Sequence, residues 1–266
     1  MEKREERMPG IGLALGAGGA RGFAHIGVLE VLEEHGVVPA YLAGSSMGSL
    51  VAALYASGLT TGMMEKLALN LKRKHWIDLC VPGMGFVTGE KLRQVVKLLT
   101  RERRIEEMAR PLAIVATDLG TGERVIFTKG PAYEAVRASV SIPGIFVPYR
   151  LDGRLLVDGA VVDRVPIEVV RDMGADLTIG VDVALAPSDA PVKSLFDVIF
   201  QSVDIMEREI FRHRTVYADI MVRPDVGRFS STAFTNIEEI VEEGRQATRK
   251  MIPHIHDKIA EWRKDR

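Results

Sequence analysis

The sequence predicts an α/β fold with parallel strands, and three observations support this prediction. Two short apolar segments, Ile11 to Leu15 and Val37 to Ala43, have the length and composition of buried strands. Each is followed by a glycine-containing turn and then by a segment with helical spacing. Such strand–turn–helix units imply parallel strands joined by right-handed crossovers. The length of 266 residues and the apolar content of 47% allow one large domain with a substantial core, or two smaller ones.

The remaining elements follow from the same signals. The first two helices are predicted over Phe23 to His35 and Ser49 to Ser57, each closed by a glycine, which favours a helix C-terminus. Further strands are predicted over Leu112 to Thr117, Val125 to Thr128, Leu177 to Val183 and Ile220 to Val222, with a hairpin over Tyr149 to Val157 that turns at Asp152-Gly153. Further helices are predicted over Thr61 to Lys74, Gly89 to Thr100, Pro131 to Val140, Leu195 to His213 and Ile237 to Arg263.

Residues 60–110 differ from the rest of the chain, because two predicted helices surround the loop VPGMGFVTG without an intervening strand. The segment is interpreted either as a cap over a functional site or as a solvated helical insertion. Basic residues alternate with apolar ones in LKRKHW, between Leu71 and Trp76, and we hypothesise that this patch contacts an anionic lipid surface.

The composition argues against several classes of function. Lys and Arg total 35 and Asp and Glu total 36, so no global charge favours nucleic acid as a partner. The single cysteine, Cys80, cannot form an internal disulfide or a multi-cysteine metal site, and we interpret it as a small buried apolar residue rather than a nucleophile. The His and Cys residues form no ligand cluster, so we expect no metal and no other cofactor.

The N-terminal decapeptide MEKREERMPG carries charges of both signs and lacks the smooth apolar stretch of a signal peptide. We expect residues 1–10 to be a flexible terminus. No run of about 18 apolar residues occurs, so the sequence predicts no membrane-spanning helix. We therefore expect a cytoplasmic protein for which any membrane contact is peripheral.

The segment AYLAGSSMGSL, residues 40–50, joins the second predicted strand to the second predicted helix. It contains the pattern Gly44-x-Ser46-x-Gly48, which is typical of a nucleophile elbow. The glycines allow the strand and the helix to approach each other across a strained turn, and the turn exposes the serine oxygen. In a chain with 25 glycines the same pattern also fits an ordinary loop of small residues, so other parts of the chain have to decide between the two.

The segment LGAGGARG, which follows the first predicted strand, is a candidate oxyanion hole. Successive glycines free several backbone N–H groups to converge on an anion, and the following helix adds the positive end of its dipole. A dinucleotide-binding fingerprint fits less well, because Arg21 stands where its third glycine would follow Gly16 and Gly18. A packing turn is a further alternative. The anion-stabilising interpretation is favoured because this loop and the serine turn follow the first two strands, at the same edge of the sheet.

A histidine is one candidate for the base that would activate Ser46. A triad needs a late histidine, and the chain offers His213, His254 and His256. All three lie in helical segments, whereas a catalytic histidine usually follows a strand in a small-residue loop. The earlier His25 is expected to pack within the first helix.

An aspartate is the better candidate. Asp158 ends the apolar stretch RLLV and is followed by Gly159 and Ala160, so it can approach a serine closely. Asp118, just past another strand, and Asp163 are rivals for the same role.

Together these motifs resemble the patatin-like phospholipases, in particular their bacterial single-domain branch. The resemblance rests on five stretches that occur in the family's order and cover most of residues 11–250: LALGAGGARGFAHIGVLEVL, AGSSMGSLVAALYASG, ATDLGTGERVIF, ASVSIPGIFVPYRLDGRLLVDGAVVDRVP and FTNIEEIVEEGRQAT. The chain departs from the fullest glycine motif at Arg21, as is common in the bacterial branch, and residues 60–110 match weakly.

The resemblance implies a three-layer α/β/α fold with a mostly parallel central sheet. It implies one catalytic domain over residues 11–250, with residues 60–110 as a cap-like insertion, followed by a C-terminal helix over residues 251–266.

The resemblance also implies a Ser-Asp dyad without histidine, in which Ser46 is the nucleophile and Asp158 the base. The oxyanion hole would consist of the N–H groups of the loop that contains Gly16, Gly18 and Gly19, together with that of Met47. The residues that support these motifs are Arg21, Gly22, Gly44, Gly48, Gly159 and Ala160.

The expected function is that of a serine lipid acyl hydrolase, of phospholipase, lysophospholipase or carboxylesterase type, that acts through an acyl-enzyme on an acyl ester or phospholipid. Two alternatives stay open. One is a non-catalytic acyl-lipid-binding or adaptor protein on the same scaffold, and the other is an acyltransferase or thioesterase that uses the same serine. The intact dyad and oxyanion loop favour the hydrolase.

Overall fold

A computed structural model of the protein describes residues 8–70, 73–81, 83–184, 192–212, 217–232 and 234–264. The strands are β1 (Ile11–Leu15), β2 (Tyr41–Ser45), β3 (Leu112–Asp118), β4 (Arg124–Phe127), β5 (Tyr149–Leu151), β6 (Arg154–Asp158), β7 (Leu177–Val181) and β8 (Ile220–Val222). The α-helices are α1 (Ala24–Glu34), α2 (Met47–Ala56), α3 (Thr61–Asn70), α4 (Glu90–Leu99), α5 (Ala132–Ser139), α6 (Ile167–Asp172), α7 (Leu195–Arg212) and α8 (Ile237–Lys264). Short 3₁₀ helices cover Gly19–Phe23, Arg73–His75, Ile105–Glu107 and Gly159–Val161.

The strands form one mixed sheet in the order β5-β6-β3-β2-β1-β7-β8, and β4 pairs with β3 outside this order. The pairs β3–β2, β2–β1, β1–β7 and β7–β8 are parallel, whereas β4 and β6 run antiparallel to β3, and β5 to β6. The predicted α/β class with a mostly parallel central sheet is therefore confirmed.

Alternate residues of the central strands face two different cores. Leu13 and Leu15 of β1 belong to the larger apolar core, which includes residues of α1, α2 and α8. Ala14 of the same strand faces a smaller core that includes residues of α6. Since successive side chains of a strand point to opposite faces, the sheet lies between two helical layers, which gives the three-layer arrangement.

Several elements differ from the sequence prediction, and two of the differences have a clear physical cause. The second strand begins at Tyr41 rather than Val37, because the N–H of Val37 closes the end of α1 on the carbonyl of Leu32, and pairing with β1 starts at Ala40. The short helix α6 was not predicted, since its six residues are fewer than two turns and include two adjacent valines, which favour strands.

The chain ends in a single long helix. α8 runs without interruption from Ile237 to Lys264, so the domain boundary predicted at residue 250 falls inside it. Residues 1–7 of the expected flexible terminus lie outside the described part of the chain. Among the described residues, no helix combines the length and the apolar character that crossing a membrane requires.

We predict that Gly48→Ala lowers the free energy of unfolding by about 3 kcal/mol, because a Cβ atom at this position of α2 would overlap the carbonyl oxygen of Leu15. Thermal and denaturant unfolding would measure the effect. Gly62→Ala is the matched control, since it also lies in a helix but no atom lies within 4 Å of its added Cβ. Equal stability of the two variants would contradict the close approach of α2 to β1.

Candidate active site

Ser46 lies on a sharp turn between β2 and α2. Its backbone has φ 53° and ψ −125°, a left-handed conformation that a non-glycine residue adopts only when its surroundings enforce it. A Cβ atom on Gly44 would overlap the carbonyl of Gly48, so two small residues are needed where the strand and the helix meet. The turn therefore has the backbone geometry expected of a nucleophile elbow.

The side chains of Ser46 and Asp158 are in contact. Ser46 Oγ donates a hydrogen bond of 2.6 Å to Asp158 Oδ2. The other carboxylate oxygen, Oδ1, accepts the N–H of Ala160 at 2.9 Å. Both side chains are buried, with 5% of Ser46 and 2% of Asp158 exposed. A buried carboxylate with fixed partners thus lies within proton-transfer distance of the serine hydroxyl.

One edge of β3 brings the two residues together. Ser45 of β2 pairs with Val115, and Asp158 of β6 pairs with the next residue, Ala116. β4 pairs with residues 114–117 of β3, a range that includes both Val115 and Ala116, so β4 occupies the opposite edge of β3. Because β2 and β6 share one edge of the same strand, their ends meet and place Ser46 beside Asp158.

The rival aspartates have other partners. Asp163 accepts a hydrogen bond of 2.7 Å from Nη1 of Arg124, and their opposite charges form an ion pair. Asp118 accepts the N–H of Gly120 at 2.9 Å and so stabilises the turn that follows β3. Of the three aspartates considered for this role, only Asp158 contacts the serine in the described part of the chain.

Two of the late histidines lie on the surface of α8. His254 and His256 are exposed on α8. His213 is outside the described residues.

Cys80, expected to be buried, is half-buried, and its Sγ lies 3.6 Å from the carbonyl oxygen of Gly85. Within the described ranges, no group of three or more His, Cys, Asp or Glu side chains could hold a metal ion.

The glycine loop after β1 lies against the same site. The N–H of Gly16 donates to Val181 and that of Ala17 to Arg164, both at 3.0 Å, so these two donors hold the loop to the protein. Gly16 was expected to offer its N–H to an oxyanion, but this N–H is already occupied. Gly18 and Gly19 line a small cavity together with Ser46 and Asp158, and their N–H groups have no acceptor among the described residues.

Met47 supplies a third donor near the serine. It is the first residue of α2, and the first N–H groups of a helix have no acceptor within the helix. Its side chain packs against Gly22, where an added Cβ would overlap Met47 Cγ. The glycine loop and the start of α2 are therefore packed directly against each other.

Two contacts fix the glycine loop from the other side. The N–H of Ala20 donates to the carbonyl of Ser231 at 2.9 Å. Arg21 is almost completely buried, and its Nε donates to the carbonyl of Phe229 at 2.9 Å. Burial lowers the pKa of Arg21, and the nearby carboxylate of Asp204 counteracts this effect. Arg21 therefore ties the loop to the segment before α8, a role that its place in the motif does not reveal.

His25 supports the loop as a neutral residue. It is completely buried, and burial lowers its pKa to about 4. Its Nε2 lies 2.8 Å from the carbonyl oxygen of Gly16, which can only accept, so Nε2 carries the proton. His25 thus holds the carbonyl of the loop rather than activating the serine.

Ser139 is a residue of the site that the sequence analysis missed. Its Oγ accepts the backbone N–H of Ser46 at 2.9 Å and donates to the carbonyl of Val115 at 2.6 Å. The side chain is fully buried at the end of α5. Ser139 therefore connects the strained serine turn to β3, the strand with which Asp158 of β6 pairs.

An apolar cavity of about 130 Å³ adjoins the serine. It opens to solvent, and Ser46 and Met47 form part of its wall. The rest of the wall is apolar and includes Leu50 and Leu54 of α2, Leu67 of α3, Val95 and Leu99 of α4, and Phe146. The segment 60–110, interpreted from the sequence as a cap or as a solvated insertion, therefore contributes one wall of the cavity. Such a space fits an acyl chain.

The electrostatics of the site are set by burial. Burial raises the pKa of Asp158 to about 7, although the hydrogen bonds from Ser46 and Ala160 oppose the shift. Glu207 of α7 lines the same small cavity, and its pKa is raised well above the usual value by burial and then by the charge of Asp158. The carboxyl group beside the serine is therefore more basic than an aspartate in water.

An α/β fold, a serine on a strand–helix turn, a buried aspartate in contact with it and an adjoining apolar cavity define the class of protein. A family model described as patatin-like phospholipase matches residues 13–171. The chain belongs to the patatin-like phospholipase family, as its motifs indicated.

Individual relatives agree with this assignment. An uncharacterized NTE family protein of Mycobacterium tuberculosis is 38% identical over 185 residues, which cover 67% of this chain and 50% of the relative. A lysophospholipase NTE1 of Pyricularia oryzae is 27% identical over 286 aligned residues. The alignment covers 94% of this chain and 19% of that protein. The chain thus spans about half the length of its mycobacterial relative and less of the other.

Solved structures share the fold. VipD from Legionella pneumophila superposes with a TM-score of 0.66 at 15% sequence identity, over 93% of this chain and 67% of VipD. The type III effector protein ExoU superposes with a TM-score of 0.53 at 15% identity, over 92% of this chain and 53% of ExoU.

We predict that Ser139→Ala lowers the kcat of ester hydrolysis about tenfold, because the N–H of Ser46 and the carbonyl of Val115 each lose a buried partner, a loss of about 1–3 kcal/mol. Steady-state kinetics on a soluble ester, together with thermal unfolding, would measure the effect. Ser57→Ala is the control, because Ser57 is also a buried serine but bonds Leu54 at the end of α2. Equal losses of kcat in both variants would contradict a specific role of Ser139.

Proposed function

We propose that the protein is a serine hydrolase that cleaves acyl ester bonds of lipids, with Ser46 as the nucleophile and Asp158 as its base. The observation that carries this proposal is the hydrogen bond of 2.6 Å from Ser46 Oγ to Asp158 Oδ2, beside an apolar cavity. The family of the chain and its similarity to a lysophospholipase support the same class of reaction.

In the first half of the proposed reaction, Ser46 Oγ attacks the acyl carbon and transfers its proton to Asp158. The tetrahedral oxyanion is stabilised by backbone N–H groups, for which Gly18, Gly19 and Met47 are the available donors. Asp158 then returns the proton to the leaving alcohol or lysolipid, and the acyl group remains esterified to Ser46.

In the second half, water replaces the leaving group. Asp158 takes a proton from the water as it attacks the acyl carbon, the same N–H groups bind the second oxyanion, and Ser46 regains its proton when the fatty acid leaves. An aspartate in water is a weak base, but burial of Asp158 raises its basicity and so makes this role chemically reasonable. Apart from the ester and the attacking water, this reaction uses only side chains and backbone groups of the chain.

The apolar cavity holds the acyl chain in this proposal. Its wall combines the helix after the serine with residues from α3 and α4 of segment 60–110. We propose that this segment acts as the cap of the acyl site, and that the substrate reaches it from a membrane or another lipid aggregate with the protein bound peripherally.

We predict that Ser46→Ala and Asp158→Asn each abolish hydrolysis of p-nitrophenyl esters of short to medium chain length, while both variants stay folded. Loss of the nucleophile or of its base removes a step that the remaining groups cannot replace. Initial rates, with circular dichroism to check folding, would measure the effect, and Ser57→Ala is the matched serine control.

The outcomes separate the alternatives. If Ser46→Ala keeps the wild-type rate, esterase activity arises elsewhere and the acyl-lipid-binding interpretation gains support. If Asp158→Asn keeps near-normal turnover while His213→Ala abolishes it, a histidine-based triad is correct.

We predict that kcat/KM for a soluble ester rises with pH and levels off above an apparent midpoint near 7. The base must be ionised to accept the serine proton, and burial raises the pKa of Asp158 to about 7. A pH profile from about pH 5 to about pH 9 would measure the midpoint. A midpoint near the ordinary aspartate value would contradict the assignment of a buried Asp158 as the base.

A further inference from the structure

Helix α7 exposes apolar side chains and buries charged ones, the reverse of an ordinary surface helix. Asp204 and Arg208 are buried, and Glu207 faces the small cavity beside Asp158. The outward face carries large apolar side chains of which about half the surface is exposed: Leu195, Val198, Ile205, Met206 and Ile210. An amphipathic helix in water normally turns its apolar face inwards. The outward face of α7 is therefore suited to an apolar environment.

A second apolar projection lies in segment 60–110. Leu79 pairs with Val87, and the N–H of Cys80 donates to the carbonyl of Phe86, so the chain forms a hairpin here. The hairpin exposes 75% of Leu79, 91% of Val81 and 56% of Met84. Exposed large apolar side chains grouped in one short hairpin are unusual on a protein that meets only water.

The hairpin and α7 both border one opening. An open cavity, which we call the mouth, is lined by Leu79 of the hairpin and by Phe200 of α7. Gly19, Trp76 and Phe146 line both the mouth and the apolar cavity that adjoins Ser46. The mouth and the cavity beside the serine thus share part of their walls.

We propose that the hairpin and the outward face of α7 form a docking surface for an anionic phospholipid bilayer. The surface consists of Leu79, Val81, Met84, Leu195, Val198, Ile205, Met206 and Ile210. The choice of a bilayer as the occupant rests on the proposed function, on the position of the hairpin and α7 at the mouth, and on the basic residues that line it. A second copy of the chain bound here would cover the entrance that the acyl chain has to use.

The charges at the mouth favour an anionic bilayer. Lys74 and Lys91 line it, and the exposed Lys193 precedes α7. The one acidic residue in the mouth lining, Asp78, accepts the N–H groups of Gly89 and Glu90 at 2.9 Å. On the outward face of α7, Glu209 is paired with Arg212. Lysines beside inserted apolar side chains attract lipid phosphate groups.

Vesicle flotation would test this inference. The probes are vesicles of phosphatidylcholine alone and vesicles that also contain phosphatidylglycerol. The double variant Val81→Asp with Met206→Asp alters one exposed residue of each projection. Val38→Asp is the matched control, because Val38 is similarly exposed but lies far from the docking surface in sequence. It precedes the N-terminal end of β2, whereas Ser46 follows the C-terminal end of this strand.

We expect the wild type to float with the anionic vesicles, less with the neutral ones and less at high salt. The double variant should bind about tenfold more weakly, and Val38→Asp should bind like the wild type. All three proteins should hydrolyse a soluble short-chain ester equally, because none of the changes touches Ser46, Asp158 or the glycine loop.

Other results would overturn the inference. These are a wild type that floats with neither kind of vesicle or with both equally, an equal loss of binding in Val38→Asp, or a dimer in sedimentation that only the double variant dissociates. If the wild type binds the vesicles in the expected pattern but hydrolyses no ester, the proposed function fails while the docking surface stands.

Discussion

The geometry of the site depends on β3, because β2 and β6 pair with successive parts of the same edge of this strand. Val115 pairs with Ser45, and its neighbour Ala116 pairs with Asp158, so the two reacting side chains take their positions from adjacent residues of one strand. The carbonyl of Val115 also accepts the hydroxyl of Ser139, which holds the N–H of Ser46. Three groups that are far apart in the chain are thus fixed to two neighbouring residues of one buried strand of the sheet.

The site maintains two unfavourable states, and packing compensates for both. Ser46 has a left-handed backbone, and Asp158 is a carboxyl group removed from water. The pKa of Asp158 is raised in the folded protein, so protonation of this residue stabilises the fold. The stabilisation is complete below the ordinary aspartate pKa and is lost as the pH rises through about 7. The ionised base that the proposed reaction requires is therefore obtained at some cost in stability, which the close contacts of Gly44 and Gly48 and the clamp of Arg21 help to offset.

Much of this arrangement could be predicted from the sequence, because it depends on local patterns. The bounds of β1 and β8 and the position of the serine turn follow from short-range composition. The role of Ser139 could not be predicted, since its partners Ser46 and Val115 are distant in sequence and a helical serine has no distinctive signal. The occupied N–H of Gly16 likewise depends on β7, which pairs with β1 only in the folded sheet. Glu207 faces the site only because α7 packs against it, and the hydrophobic periodicity of a sequence does not show where a helix packs.

The wall of the acyl cavity has a further consequence for how this kind of protein can diversify. Leu67, Val95 and Leu99 come from the long connection between α2 and β3, whose described residues contribute no strand to the sheet. Changes of length or composition in that connection would reshape the cavity without altering the register of β2 or β6 on β3. Under the proposed function, part of the selectivity for acyl chain length is therefore encoded apart from the residues that cleave the bond, and this part can change in evolution, or in a chimaera, while the cleavage chemistry is retained.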